Sequence, residues 1–142
     1  MKLAQVAAFA ETLPNVTVGA RWNNKTWLVN ERGFLWQRPL TKTDIERYGE
    51  TKPPSGDIIA FITAGLDAKD ALLAMELPGF FTIQHFNNYP GVLVELRLAG
   101  VRDVKAAIRS AYEAALAMGP PKKRKPSAKS RSKPARRSSR AR

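Results

Sequence analysis

The alternation in one short segment constrains the fold more than any other feature of the chain. In Val92-Leu93-Val94-Glu95-Leu96-Arg97-Leu98, positions 92, 94, 96 and 98 are apolar, whereas 95 and 97 carry charge. Successive side chains leave a strand on opposite sides, so this pattern predicts a β-strand with one buried face. Ahead of it, Asn87-Asn88-Tyr89-Pro90-Gly91 has turn chemistry: Asn tolerates left-handed backbone, Pro fixes φ and Gly relaxes it. The aromatic run from Phe80 to Phe86, which holds the sole histidine, His85, must therefore turn sharply before the chain enters a sheet.

The rest of the chain offers elements that could bury that face. Leu3, Val6, Ala7, Ala10 and Leu13 fall on one side of a helix that Pro14 closes. Thr17 to Ala20, Thr26 to Val29 and Phe34 to Gln37 are rich in β-branched and aromatic residues. Asn23-Asn24 and Asn30-Glu31-Arg32-Gly33 separate them, which predicts two successive hairpins. Thr41 and Asp44 form a capping box for a short helix, Ile45 to Tyr48, that stops at Gly49. Asp57 to Thr63 reads as a buried strand. Asp67 is expected to cap the next helix, with Leu72, Leu73 and Met75 on its apolar side. The longest helix, Val101 to Met118, has Val104, Ile108, Ala111, Ala115 and Met118 on its inner face and ends at Gly119-Pro120-Pro121. The expected architecture is α+β: a mostly antiparallel sheet flanked by N- and C-terminal helices, over residues 1–118.

Charge divides the chain differently. Of 24 Lys and Arg residues, 11 lie in 122–142, which leaves 13 against all 12 acidic residues, a net +1, in residues 1–121. The tail cations are Lys122, Lys123, Arg124 and Lys125, then Lys129, Arg131 and Lys133, then Arg136, Arg137, Arg140 and Arg142. With almost no apolar residues among them, residues 119–142 are expected to be disordered in isolation. Such an arm suits a polyanion: DNA first, RNA as a variant, and an anionic membrane surface as a weaker rival. Arg102, Lys105 and Arg109 recur at i, i+3 and i+7 on the outer side of the last helix and could extend the basic track.

Several chemistries are set aside by composition. Without cysteine there is no disulfide, thiol nucleophile or thiolate metal site, and one histidine is too few for a His-built metal centre. No phosphate-loop, dinucleotide-binding, zinc-protease or nucleophile-elbow motif occurs, so neither enzymatic activity nor a cofactor is expected. No apolar run approaches the ~18 residues of a membrane span. The first ten residues mimic a short signal peptide, but Gln5 interrupts them, and the expected location is cytoplasmic, with nucleoid association an option.

The remaining candidates admit two readings each. Trp22, Trp27 and Trp36 either fill the core or stack on nucleic acid, with Arg21, Asn23, Asn24, Lys25, Arg32 and Arg38 on the hairpin edges beside them. His85 is either a structural hydrogen-bond partner or a functional group, a general base or a metal ligand. An aromatic pocket around Phe81, His85, Phe86 and Tyr89 would instead suit a module that binds a protein or small ligand.

The pattern Phe81, His85-Phe86, Tyr89-Pro90, Val92-Leu93-Val94 resembles the MmcQ/YjbR family of small bacterial proteins. Trp22-Asn23-Asn24-Lys25-Thr26-Trp27 and Arg38-Pro39-Leu40-Thr41-Lys42 fall where that family has similar segments, and the resemblance covers roughly residues 1–118. It implies a frataxin-type (CyaY-like) fold and a DNA-binding role with no established enzymatic activity. Iron delivery, which that fold also suggests, would need an acidic surface, and the first helix offers only Glu11.

Overall fold

The structure, a computed structural model, describes residues 1–21 and 23–121; Trp22 and all eleven tail cations lie outside the described residues. The chain runs α1 (Leu3–Glu11), β1 (Val16–Arg21), β2 (Asn24–Val29), β3 (Arg32–Gln37) and α2 (Lys42–Glu46). It continues through β4 (Ile58–Ile62), α3 (Leu66–Ala74), β5 (Phe80–Phe81), a 3-10 turn (Gln84–Phe86), β6 (Gly91–Glu95) and α4 (Val101–Met118). Among the described residues the strands form one antiparallel sheet of six in the order β1-β2-β3-β4-β6-β5. The α+β class expected from periodicity is the class observed.

Turn chemistry builds the first half of the sheet. Arg21 pairs with Asn24 and Val29 with Arg32, so each hairpin closes through two residues. Asn30 and Glu31 both adopt positive φ (51° and 66°), the backbone of a type I′ turn, whose twist matches that of paired strands.

One bulge then decides which aromatic faces which way. Trp27 opposes Leu35 and Leu28 opposes Gly33, so Phe34 is an extra residue in β3. Phe34 packs edge-on against Tyr112 of α4, at 5.7 Å between ring centroids. Trp36, only two residues on, meets Tyr89 instead, at 6.5 Å. In an unbulged strand residues 34 and 36 would share a face; the extra residue resets the alternation and turns Trp36 away from the helices.

The helices α1 and α4 pack together on one face of the sheet. Val6 and Ala10 of α1 and Val104, Ile108, Ala111 and Ala115 of α4 are buried there. The Trp27 indole N–H donates to Glu11 Oε2 (3.1 Å), and the Tyr112 hydroxyl donates to the Pro14 carbonyl (2.7 Å). Each Val, Leu, Ile or Phe fully buried in this layer contributes about 1.5–3 kcal/mol, so this face is the main source of stability.

Several expectations are corrected. The last strand stops at Glu95, because Leu98 N–H and Ala99 N–H both turn back to the Glu95 carbonyl. Glu95, expected on a solvent face, is buried, as is every residue of β6, which lies between β4 and β5. Its carboxylate is satisfied by Ser55 N–H (3.0 Å) and by Arg97 Nε (2.6 Å). Gly65, not Asp67, caps α3, and the helix buries a different residue from those expected: Lys69 is buried and Met75 is exposed. Met118 is likewise exposed, at the C-terminal end of α4. The short helix begins at Lys42, with Thr41 and Asp44 forming the expected capping box.

Candidate functional site: an aromatic cleft on the open face

The turn between β5 and β6 carries the site, and a buried lysine holds it in shape. Phe86 N–H bonds to Ile83 O (2.9 Å) and Tyr89 N–H to Phe86 O (3.0 Å), with Asn88 at φ 62°. From α3, the Lys69 ammonium donates to Phe86 O and Tyr89 O, both at 2.7 Å. Burial holds the Lys69 pKa below its ordinary value, and neighbouring Asp70 offsets only part of that. From the end of β4, Thr63 donates its backbone N–H (2.8 Å) and its hydroxyl (2.7 Å) to Pro90 O. Gly91 leaves room for Tyr89: a Cβ there would stand 2.5 Å from Tyr89 Cε2. The Tyr89 ring therefore wedges edge-on between Phe86 (5.2 Å) and Trp36.

The facing wall is the segment leaving β3. The Arg38 guanidinium pairs with Asp44 Oδ2 (3.1 Å), donates to Pro39 O (2.6 Å) and lies 5.6 Å from the Phe86 ring centroid. Asp44 accepts the Thr41 N–H (2.9 Å), and the Asp44 N–H reaches the Thr41 hydroxyl (3.1 Å). Burial raises the Asp44 pKa, but the Thr41 donors and the Arg38 charge outweigh it and hold the carboxyl below its ordinary value. The capping box thus fixes both the start of α2 and the orientation of Arg38.

Between these walls opens a cleft of about 590 Å³. Trp36, Phe86 and Tyr89 line it with His85 and Asn24, and the wall from Arg38 to Thr41 completes it. Its volume and mixture of apolar surface with a few polar groups suit a small-molecule site. Arg21 lies on the same face, its guanidinium carbon 3.5 Å from where a Gly33 Cβ would stand. Burial raises the Tyr89 pKa, and the Arg21 charge acts in the opposite direction.

The fold gathers some sequence candidates and scatters others. Asn24, Arg38, His85, Phe86 and Tyr89 share the cleft. Trp27 lies on the helical face, as its bond to Glu11 requires, and Phe81 is half-buried in β5 outside the cleft. Pro90 serves through its carbonyl. Arg38 is not an exposed hairpin-edge cation: its side chain is 13% exposed and committed to Asp44. Lys25 lies 3.8 Å from Glu11 and 5.3 Å from the Trp27 ring centroid. Arg102, Lys105 and Arg109 are exposed on α4, with Lys105 and Arg109 over the Phe9 ring at 5.4 and 5.7 Å. Arg32 donates to Gly119 O (2.8 Å), tying the β2–β3 hairpin to the end of α4. Lys69 was missed, because nothing local distinguishes it from any helical surface lysine.

No family model matches the sequence. Uncharacterized proteins from Mycobacterium bovis and from two strains of Mycobacterium tuberculosis are each 42% identical to the chain over 89 residues. The match spans 61% of this chain and 68% of each relative. The chain belongs to their family. Among solved structures, a protein from Pseudomonas syringae superposes with a TM-score of 0.63 at 15% identity, over 81% of this chain and 99% of that one. The two share a fold. No helix among the described residues is long and apolar enough to cross a membrane.

Proposed function

We propose that this is a non-enzymatic, MmcQ/YjbR-like protein that binds DNA with little regard to sequence, in the cytoplasm or on the nucleoid. The observation that carries this reading is the segregation of charge: +11 in residues 122–142 against +1 in residues 1–121. Each cation that neutralises a phosphate releases a condensed counterion, so capture is electrostatic and carries no sequence readout. Arg102, Lys105 and Arg109 support it, since they are exposed on the helix that leads into the tail.

A duplex-DNA titration at several salt concentrations tests the reading, using the full chain and a variant with the eleven tail cations changed to Gln. The full chain should give a log–log salt slope approaching roughly −8 to −10 if most tail cations engage, at about −0.9 per contact. The Gln variant should lose most of that slope; an unchanged slope refutes the proposal. A second reading, a protein- or small-ligand-binding module that uses the aromatic pocket around His85, is favoured by the cleft itself.

A further inference from the structure

We infer that the aromatic cleft seats an unpaired nucleobase, so that the protein prefers single-stranded over duplex nucleic acid. This rests on the nucleic-acid reading above and assigns the cleft its ligand. Base–aromatic stacking tolerates any sequence because every base has a π-face, and it requires a base that has left its own stack. The cleft has the right walls: Tyr89 is 38% exposed, His85 is exposed, and both stand beside the buried rings of Trp36 and Phe86. At about 590 Å³ it admits a nucleoside-sized ring system, and a stacked base pair inside a duplex cannot enter it.

Its polar groups also fit a heterocycle better than an apolar side chain. The Tyr89 hydroxyl and the His85 ring nitrogens make no hydrogen bond among the described residues, so they are available to a base edge. The Arg38 plane is held by Asp44 and Pro39 before any ligand arrives, which limits the ordering cost of binding. Arg21 adds positive charge on the same face, near Tyr89, where a strand's phosphates would pass.

The test is fluorescence anisotropy with the full chain at fixed salt, using three labelled probes of equal length: oligothymidylate, the same backbone with abasic sites, and a duplex. A saturable titration with thymidine monophosphate completes the set. Oligothymidylate should bind roughly 5- to 150-fold tighter than the abasic strand, the effect of one stacked base. Tyr89→Leu and His85→Ala should remove that difference without changing the salt slope. His85 is exposed, so His85→Ala leaves the packing intact and keeps the test valid if Tyr89→Leu destabilises the turn. Equal binding of base-bearing and abasic strands, or a difference that survives both substitutions, overturns the inference. If no polymer binds, the tail reading fails; mononucleotide binding lost in His85→Ala would still support the seat, and no mononucleotide binding would overturn it.

Discussion

Replacing Lys69 with Met isolates what a buried ammonium does for the cleft. The substitution keeps side-chain length and removes two charge-assisted hydrogen bonds of 2.7 Å. The two carbonyls do not suffer equally. Phe86 O still accepts the Tyr89 N–H, whereas Tyr89 O has no other partner among the described residues. Orphaning one partly buried carbonyl costs about 1–3 kcal/mol, and relief from burying a charge offsets part of the lost bonding. A net loss of about 2 kcal/mol follows, or roughly 8 °C in Tm for a domain of this size. Urea unfolding followed by tryptophan fluorescence measures it, and a loss below about 0.5 kcal/mol would refute the role assigned to Lys69.

The pH dependence gives a second check on the same substitution. Because the folded pKa of Lys69 is lowered, the unfolded chain binds more protons between that value and the ordinary 10.5. The stability contributed by this group must then rise with pH across that alkaline window. The gap between wild type and Lys69→Met should widen there. A narrowing gap would mean that the two carbonyls hold the proton more strongly than burial expels it.

Three further outcomes are expected. Asp44 has a lowered folded pKa, so its contribution is present above about pH 4 and disappears as pH falls through the folded value; Asp44→Asn should flatten that acid limb in a stability–pH series. Glu31→Gly should raise stability by about 0.5–1 kcal/mol in chemical denaturation, since Gly adopts the positive φ of the I′ turn without a Cβ penalty. Gly91→Ala should push the Tyr89 ring out of its seat between Trp36 and Phe86, seen as displaced aromatic NMR resonances for Tyr89 with the helical-face resonances of Tyr112 unmoved.

Most of the secondary structure was legible because it is dictated within a few residues. Asn-rich turns, a capping box at Thr41, the 3.6-residue stripe of α1 and the run from Val101 to Met118 each act through local φ/ψ preference or one-faced burial. Charge segregation between residues 1–121 and the tail also needs only the sequence. Tertiary structure decided the rest. Glu95 looked solvent-facing until β5 and β6 paired and Ser55 and Arg97 came to satisfy it. Trp36 and Trp27 looked alike until the bulge at Phe34 sent one to the cleft and left the other beside Glu11. Lys69 looked like surface until the turn's carbonyls, 17 and 20 residues away, closed over it. In each case a side chain's role depends on partners distant in sequence, and local propensity carries no information about which distant group a fold will bring within hydrogen-bond range.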